Sequence, residues 1–569
     1  MRRWILAAAI GAAAVFVTVS LPVPRLALAA DQRDDSIAGA LHVHTSASDG
    51  RSGPDEIAAA AARAGLRFII FTDHGDATAA PGPPTYRHGV LCLEGVEIST
   101  TDGHYIGLDL PASPYPLAGE ARDVVEDVQR LGGFGVAAHP DSPKADLRWR
   151  EWSAPFDAFE NVNPDTSWRV HLDRPGWRSK LVLVQALATY PFRPAESIAT
   201  LLVDSPATLA RWDGLTGARR VVALAGVDAH AKLALRDVDP GDNRFSLPLP
   251  SYEASFRTLS VHVRPEQALT GEAAKDAVSV LGALRRGHAY TVVDAIASPP
   301  FFQFTASNEQ GAAREGDEIV AAGPLTLRVL SNAPPEFTTT VFQGTRVFST
   351  GHHGSDLVVP APPTPAVYRV EIRATDRPGS PAWIVSNPIY ARSGEPAGRP
   401  PGRPPVRATA PILGAKTAAT WRAETDATSL AAVDVTERPT GPELRLRYGL
   451  SGGAAGGQFA ALTFFTPGGI AAHDRLAFTA RAERPLRISV QVRVAVTPDE
   501  DERWQRSVYI DPDAAERTVY FDDLRPVGAT RTRQPPLADV HSLVLAIDTT
   551  NTKPGSSGRL WVSAAALQR

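Results

Sequence analysis

The stretch ALHVHTSASDG, residues 40–50, ends an apolar run in two histidines that are separated by one residue. Successive side chains of a strand point to opposite faces, so His42 and His44 are predicted to project together from the end of a strand. Two imidazoles placed in this way can hold one metal ion, and Asp49 follows nearby in the sequence. Because an isolated HxH pair also arises in polar loops, the interpretation depends on ligands elsewhere in the chain.

Apolar runs typical of strands alternate with helical stretches from about residue 36 to residue 295. The first helical stretch, SGPDEIAAAAARAG (52–65), has Pro54 at its first helical position and Gly65 at its end. This alternation favours an α/β unit with largely parallel strands, which can close into a barrel with functional residues at the strands' carboxyl ends. The predicted strands are AGALHVH, RFIIFTD, LCLEGVEIS, HYIGLDL, GFGVAAH, AFENVN and VVALAGVDA.

Further imidazoles and carboxylates occur at the ends of these predicted strands. They are His74 after RFIIFTD, Glu97 in LEGVEIS, His104 in GHYIGL, His139 in GFGVAAHP, and Asp228 and His230 in ALAGVDAHAK. Six of the 14 histidines therefore fall within one predicted barrel. Imidazole and carboxylate ligands without thiolates favour Zn, Mn or Fe. Nine candidate ligands exceed what one ion can use, so we expect a site for two or three divalent transition-metal ions.

The motif series HVH…D, TDH, GVE…H, AHP and GVDAH resembles that of the PHP (polymerase and histidinol phosphatase) superfamily. The resemblance covers about residues 36–295 and implies a distorted (β/α)7 TIM-like barrel with a two- or three-metal site. The stretches GHYIGLDL, LPSYEASFRTLSVHV and RRGHAYTVVDAIASPP resemble the exported CehA/McbA-type metallohydrolases, a subgroup related to carbaryl hydrolase. By this resemblance, a first ion is held by His42, His44, Glu97 and Asp228, a second by Glu97, His104 and His139, and a third by Asp49, His74 and His230.

Metal-dependent phosphoester hydrolysis is the predicted activity. Metal ions that share a bridging water lower its pKa, and the resulting hydroxide can attack phosphorus or a carbonyl carbon. The predicted catalytic residues are Glu97, Asp228 and His230. Hydrolysis of a carbamate, ester or amide at the same site is the alternative. A further alternative, of another class, is a cell-surface glycan-binding protein in which the barrel is a relic.

Residues outside the ligand set have weaker assignments. Lys232, Arg87 and Arg257 are candidates for binding the phosphate of a small-molecule substrate, although each of them is also interpretable as a solvated loop charge. Asp73, beside His74, is expected to orient an imidazole. Asn163, at the end of AFENVN, is expected to cap a turn or to contact substrate.

The amino terminus, MRRWILAAAIGAAAVFVTVSLPVPRLALAA (1–30), has the layout of a secretory signal peptide. Arg2 and Arg3 precede an apolar run that closes with Ala27 and Ala29 in an A-x-A arrangement. The layout predicts export to the periplasm, the exterior or the cell surface, with an uncleaved anchor as the alternative. Past this segment no apolar run is long enough to span a bilayer. The single cysteine, Cys92, excludes an internal disulfide, and a net charge of −4 gives no nucleic-acid-binding signature.

The rest of the chain has the pattern of β domains. After the predicted metal-binding domain (31–298), residues 299–392 are predicted to form a small β-sandwich, 393–411 a Pro/Gly/Arg-rich linker, and 412–569 a jelly-roll-like domain. The last domain resembles carbohydrate-binding jelly rolls, which implies contact with glycans or a cell surface. A purely structural module is the alternative. The aromatic residues considered for sugar binding are Trp421, Trp504, Trp561, Tyr509 and Tyr520.

Overall fold

The computed structural model of the chain describes residues 4, 11, 14–29, 35–234, 244, 246–352, 356–375, 381–394, 403–454, 456–497 and 500–569. Arg2 and Arg3 of the predicted signal peptide, and residues 395–402 of the predicted linker, lie outside the described residues. The described chain is a mixed α/β structure that consists largely of β-sheet. It forms two compact units, which contain the described residues within 1–76, 80–111 and 125–397, and those within 77–79, 112–124 and 398–569.

Helices are concentrated in the amino-terminal half of the chain. The described α-helices are α1 (Pro54–Ala64), α2 (Ala121–Arg130), α3 (Pro164–Asp173), α4 (Trp177–Thr189), α5 (Pro194–Ala199), α6 (Pro206–Ala218), α7 (Tyr252–Thr258) and α8 (Ala273–Arg286). Two short 3₁₀ turns cover Ala418–Thr420 and Phe521–Asp523.

The strands of the first unit extend from the amino terminus to residue 392. They are β1 (Leu26–Ala27), β2 (Ile37–Val43), β3 (Phe68–Phe71), β4 (Thr85–Arg87), β5 (Val90–Thr100), β6 (Gly103–Leu108), β7 (Phe134–Ala137), β8 (Ala158–Val162), β9 (Val222–Ala225), β10 (Leu233–Ala234), β11 (Ser246–Leu247), β12 (Ser260–Val263), β13 (Ala289–Val292), β14 (Ala297–Ser298), β15 (Phe302–Asn308), β16 (Gly311–Arg314), β17 (Glu318–Val320), β18 (Leu325–Ser331), β19 (Phe337–Gln343), β20 (Arg346–His352), β21 (Asp356–Ala361), β22 (Ala366–Ala374), β23 (Ile384–Ser386) and β24 (Ile389–Arg392).

The strands of the second unit begin after the predicted linker. They are β25 (Thr409–Pro411), β26 (Arg422–Thr425), β27 (Leu430–Arg438), β28 (Gly441–Gly449), β29 (Phe459–Phe465), β30 (Arg475–Ala482), β31 (Leu486–Thr497), β32 (Glu500–Ile510), β33 (Ala515–Tyr520), β34 (Arg525–Val527), β35 (Val540–Asp548) and β36 (Ser557–Gln568).

The seven strands predicted from the sequence lie side by side in the order β2-β3-β5-β6-β7-β8-β9. Strand pairs β2–β3, β3–β5, β7–β8 and β8–β9 are parallel, whereas β6 is antiparallel to both of its neighbours. The chain after β9 returns to β2, since Val227 N donates a hydrogen bond to Leu41 O (2.9 Å) and His44 N donates one to Ala229 O (3.0 Å). The first and last strands of the run therefore meet at the end that carries the HxH pair.

Helix α1 covers the predicted helical residues. Pro54 occupies its first turn, and Gly65 ends it with a left-handed φ of 87° that favours glycine. Ile57, Ala58 and Ala61 face inward and pack in one apolar core with residues of β2 and β3. Burial of this small-residue face fixes the helix against the strands whose ends carry the candidate ligands.

The strands of residues 299–392 continue the same sheet rather than forming only a sheet of their own. Strand β12 pairs with β2 and β13, β13 pairs with β23, and β22, β24 and β17 follow. Strands β16, β15, β18 and β21 form a separate antiparallel sheet. The domain boundary at residue 298 stays a prediction.

The second unit contains two six-stranded antiparallel sheets. Their strand orders are β27-β28-β36-β30-β33, with β25 on β36, and β26-β29-β35-β31-β32-β34. Apolar side chains of both sheets, including Trp421, Leu444 and Trp504, form one core. The described chain contains no helix with the length and apolar character needed to cross a bilayer.

Candidate metal centre

All nine predicted metal-ligating side chains lie in one cluster. Each of them belongs to at least one group of three or four residues whose nitrogen or oxygen donor atoms lie within 4.8 Å of one another. Chain segments far apart in sequence therefore deliver imidazoles and carboxylates to one place. The groups are His44, Asp49, His74 and His230; His42, Glu97 and His139; His42, His44 and Asp228; and His74, Glu97 and His104.

The backbone reaches this arrangement by a different route from the one that the sequence suggests. Regular strand alternation was the reason for placing His42 and His44 on one face, but the pairing of β2 with β3 shifts register between Leu41 and Val43. His42 has a left-handed φ of 68°, and Asp228, which lies beyond the end of β9, has a φ of 49°. Bulges and turns at the strand ends, rather than uninterrupted strands, aim these side chains inward.

Glu97 lies at the centre of the cluster, and its side chain is 1% exposed. Both carboxylate oxygens face imidazole nitrogens, so one carboxylate touches five histidines from four segments of the chain. A carboxylate in this position can bridge two metal ions. Oε1 is 2.8 Å from Nδ1 of His104 and 2.9 Å from Nε2 of His139, and Oε2 is 3.2 Å from Nε2 of His42, 3.2 Å from Nε2 of His44 and 3.3 Å from Nδ1 of His74.

Two further carboxylates complete the donor set. Asp49 Oδ2 is 3.2 Å from Nε2 of His230 and 3.7 Å from Nε2 of His74. Asp228 Oδ1 is 3.5 Å from Nε2 of His42 and from Nδ1 of His230. His74 is exposed and Asp49 and His230 are half-buried, whereas Glu97 is buried, so the cluster opens towards solvent on the side of His74, Asp49 and His230.

The donor set fits metal ions. The Nε2 atoms of His42 and His44 are buried and have no hydrogen-bond partner, although buried polar atoms nearly always have one. Both atoms face the carboxylates of Glu97 and Asp228. Imidazole nitrogens and carboxylate oxygens are ligands for divalent transition metals. The clusters could therefore hold such ions.

Glu160 is a member of this site that the sequence analysis missed. This buried residue of β8 places Oε1 2.5 Å from Nδ1 of His42, and its Oε2 accepts hydrogen bonds from the backbone N of His139 (2.7 Å) and from Asn163 Nδ2 (2.9 Å). Gly226 packs directly on it, because a Cβ at Gly226 would overlap the Glu160 carboxylate. A single acidic residue within the apolar run AFENVN was the available signal.

Asn163 caps α3 and also touches the cluster. Its Oδ1 accepts a hydrogen bond from Thr166 N (2.9 Å), and its Nδ2 donates to Asp228 Oδ2 (3.2 Å) as well as to Glu160. The predicted turn cap is therefore present. The same side chain also orients Asp228, one of the candidate ligands.

Asp73 has a different role from the one expected. Its carboxylate accepts hydrogen bonds from Thr45 N (2.8 Å), Thr45 Oγ1 (2.7 Å) and Ser48 Oγ (2.5 Å). The prediction that Asp73 orients an imidazole is thus corrected: within the described residues, its carboxylate accepts hydrogen bonds from Thr45 and Ser48. Asp73 instead holds the loop that connects His44 to Asp49, through one backbone N–H and two side-chain hydroxyls of that loop.

Burial and charge oppose each other on the clustered imidazoles. Burial lowers the pKa of His42, but Asp228, Glu160 and Glu97 together outweigh it and raise the pKa well above its ordinary value. For His44, burial and the neighbouring imidazoles outweigh Glu97 and lower the pKa. The two histidines of the HxH pair therefore differ in their affinity for a proton.

The same competition acts at the open side and at the centre of the cluster. Burial lowers the pKa of His230, but Asp49 and Asp228 raise it to about 9. Burial raises the pKa of Glu97, yet His42 and the hydrogen bonds of other histidines hold it well below its usual range. In the metal-free chain, the carboxylates are ionised and several imidazoles hold protons.

The basic residues proposed for substrate binding are placed outside these groups. Arg87 forms an ion pair with Asp55 (3.8 Å), and Arg257 donates a hydrogen bond to Glu253 (3.0 Å). Lys232 is half-buried two residues beyond His230. Their binding of phosphate stays a prediction.

Arg169 of α3 was not identified from the sequence, although its guanidinium interacts electrostatically with the candidate ligand Asp228. Burial lowers its pKa, but Asp165, with a further contribution from Asp228, raises it. Its Nε donates a hydrogen bond to Asp165 Oδ2 at 2.6 Å. A basic residue on a helix gives no sequence signal for such a position.

The aromatic residues considered for sugar binding divide into two sets. Trp421 and Trp504 are buried in the core of the second unit. Trp561 is half-buried with the Arg481 guanidinium 3.9 Å from its ring centroid, and Tyr520 has Arg403 at 4.3 Å. Glycan contact by this unit stays a prediction.

No protein-family model and no curated protein matches the chain. Among solved structures, the chain is similar to a two-domain protein from Bacteroides vulgatus that contains a predicted PHP-like metal-dependent phosphoesterase, with 12% identity, 65% of this chain and 98% of that chain covered, and a TM-score of 0.28. It is also similar to a family 11 carbohydrate-binding module from Clostridium thermocellum in complex with a β-1,3-1,4-mixed-linked tetrasaccharide, with 14% identity, 28% and 94% covered, and a TM-score of 0.23. These identities and TM-scores do not assign an activity.

Proposed function

We propose that this protein is a metal-dependent hydrolase whose substrate is a small-molecule phosphoester. The observation that supports the proposal is the carboxylate of Glu97, which faces five imidazole nitrogens, two of which are buried and have no hydrogen-bond partner. Apolar residues would pack this region at a lower cost in free energy, because buried charges are costly unless they are paired or bind a metal ion. The presence of so many buried donors therefore favours metal binding over a packing role.

The nine clustered residues are proposed to hold two or three divalent transition-metal ions, with Glu97 shared between two of them. Metal ions bound there would supply an activated water and would stabilise negative charge on a substrate oxygen. A phosphomonoester carries up to two negative charges, and several adjacent cations neutralise that charge. A carbamate or an uncharged ester has no such charge in its ground state, which is why the phosphoester is preferred here.

Other residues of the chain hold the ligands in position. Glu160 fixes the ring of His42 through Nδ1, so that Nε2 is directed towards Glu97. Asn163 orients Asp228. His230, on the open side of the cluster with a pKa of about 9, holds a proton at neutral pH in the metal-free chain. We propose Glu97, Asp228 and His230 as the catalytic residues, because as metal ligands they would position the ions that activate the water.

The finer assignments accompany this proposal. They comprise a distorted (β/α)7 barrel around the cluster, membership of the PHP superfamily and its CehA/McbA-type subgroup, a jelly-roll-like carboxyl-terminal domain, and export by a signal peptide. The return of the chain from β9 to β2 supports the barrel, since it joins the ends of the seven-strand run.

Elemental analysis of the purified protein, combined with a substrate panel, tests the proposal. The panel contains phosphomonoesters, phosphodiesters, aryl carbamates and carboxylic esters, each assayed with Zn, Mn and Fe. We expect bound transition metal and turnover of at least one phosphoester. We also expect Glu97→Gln to abolish metal binding and turnover. Glu94→Gln should preserve metal binding and turnover, because the Glu94 carboxylate lies outside the cluster and accepts a hydrogen bond from Gly82 N.

Two results would contradict the proposal at different levels. Turnover of carbamates or esters alone would replace the phosphoester by the alternative substrate class on the same site. Protein that neither retains nor binds a transition metal, and that hydrolyses none of the substrates, would overturn the assignment as a hydrolase.

A further inference from the structure

Helix α4 and the chain on either side of it expose large apolar side chains to solvent. Trp177, Val184 and Leu187 lie seven and three residues apart, so they share one face of α4. Leu172 precedes that helix and Phe192 follows it. These five side chains, here called the α3–α4 surface, are between 53% and 69% exposed. Isolated apolar residues are common on protein surfaces, but three large ones on one helix face, with two more in the adjoining chain, are typical of an interaction site.

The segment that carries this surface is basic, although the whole chain is not. Residues 164–193 contain five basic residues and two acidic ones, whereas the net charge of the chain is −4. Arg174 and Arg178 are exposed beside Trp177, and the Arg178 guanidinium lies 5.7 Å from the Trp177 ring centroid. Lys180 donates a hydrogen bond to the carbonyl of His171. Apolar and aromatic side chains flanked by arginine and lysine are typical of helices that lie in a membrane interface.

The amino-terminal segment runs along the same region without covering the surface. Ser20 Oγ is 3.4 Å from Gln185 Nε2, Arg193 donates a hydrogen bond to Pro22 O, and Arg25 N donates one to Glu196 (3.2 Å). The five apolar side chains are more than half exposed with residues 14–29 in place. Removal of that segment by signal cleavage would expose more of α4.

We propose that the α3–α4 surface docks onto an anionic lipid membrane. Its apolar side chains would enter the interface, and the arginines would contact lipid phosphates. The charge favours this occupant over a second copy of the chain, because a two-fold contact would bring together two copies of a segment with a net positive charge. Helix α3 begins at Asn163, which hydrogen bonds to Asp228, and its opposite end carries Leu172, so this helix connects the metal cluster to the surface.

Vesicle flotation with the full-length protein tests this inference and does not depend on catalytic activity. We compare vesicles of phosphatidylcholine with vesicles that also contain phosphatidylglycerol. Wild-type protein is expected to float with the anionic vesicles and to be released by high salt. The double change Arg174→Glu and Arg178→Glu should weaken this binding at least about tenfold, since each basic residue near an anionic surface contributes to the attraction. Trp177→Gln with Phe192→Gln should weaken binding to both kinds of vesicle.

Val278→Gln is the matched control, because Val278 is an apolar residue of α8 that is also exposed, at 74%. It should bind vesicles like the wild type. Equal flotation of the wild type and the two double variants of the α3–α4 surface would overturn the inference. Residues 14–29 are present in all of these proteins, so binding that does not change would come from outside the α3–α4 surface. A change of oligomeric state in Trp177→Gln with Phe192→Gln, without a change in vesicle binding, would also overturn it and would identify the surface as a contact between copies.

Discussion

Oε1 of Glu160 lies 2.5 Å from Nδ1 of His42, while Nε2 of the same ring faces Oε2 of Glu97 at 3.2 Å. One imidazole is thus held between a carboxylate within strand β8 and a carboxylate at the centre of the cluster. A carboxylate behind a ligating histidine fixes its tautomer and ring orientation and raises its basicity.

Replacing Glu160 by Gln should lower metal affinity by about 10–100-fold, because the ring of His42 loses its charged partner. The measurement is a metal-binding isotherm followed by elemental analysis. The conservative change keeps the side chain volume, so the fold should persist. Glu94→Gln, at a carboxylate outside the cluster, serves as the control, and equal affinity in the two variants would contradict the role of Glu160.

Gly226→Ala should have nearly the same effect without altering any ligand. A Cβ at position 226 would overlap the Glu160 carboxylate, so the carboxylate must move away from His42. Overpacking of this kind typically costs about 1–3 kcal/mol of stability. Gly214→Ala is the control, because a Cβ on that residue of α6 meets no atom within 4 Å. The thermal midpoint and the metal content should fall in Gly226→Ala, whereas Gly214→Ala should keep its metal content and melt at an equal or higher temperature, because alanine favours a helix interior over glycine.

Metal affinity should rise with pH. Neighbouring carboxylates outweigh the effect of burial at His230 and raise its pKa from 6.5 to about 9. They also raise the pKa of His42. A metal ion must displace these protons, so binding is weaker at low pH and strengthens as pH approaches about 9. Calorimetric titration in buffers of different ionisation enthalpy would count the released protons. Affinity that is independent of pH, with no proton release, would contradict the protonation assigned to the cluster.

Asp294 should make the protein less stable as pH rises. Burial raises its pKa from 3.8 to about 7, against the opposing effects of Ser260, whose Oγ donates a hydrogen bond at 2.6 Å, and Arg25. The folded state therefore keeps a proton that the unfolded state has lost. The stability contributed at pH below 3.8 is lost as pH rises through about 7.

Asp294→Asn should flatten this dependence, since the amide oxygen can still accept the hydrogen bond of Ser260 but does not titrate. The midpoint of thermal unfolding, measured from acid to neutral pH, should fall less steeply in the variant than in the wild type. Identical slopes would show that Asp294 is ionised in the folded state at acid pH.

Most of the ligand set was predictable because its members lie at the ends of apolar runs; Asp49, in a loop, and Glu97, within β5, are the exceptions. A short apolar run such as RFIIF predicts a buried strand, and a polar residue just beyond it is predicted to lie where the strands of the sheet end. His74 follows such a strand, and its placement in the cluster agrees with the expectation. The parallel strand pairs bring most of these ends together, whereas His104 reaches the cluster from the start of the antiparallel strand β6.

Glu160, Arg169 and the pairing of β13 with β23 were not predictable in this way. Glu160 lies inside its strand, where burial of a carboxylate depends on a partner from a distant segment. Arg169 lies on a helix whose position over the cluster is set by packing. Strand β23 reads as an ordinary short strand, and no local pattern specifies which sheet edge it joins.

His42, His139 and Asp228 share the left-handed backbone described above for two of them, with His139 at a φ of 29°. For a residue with a side chain, such a conformation costs on the order of 1–3 kcal/mol, and glycine would adopt it freely. Selection for thermal durability alone would therefore replace these three positions by glycine. Glycine at any of them would relieve the backbone strain but remove a proposed metal ligand, so stability and metal binding place opposite demands on these three positions.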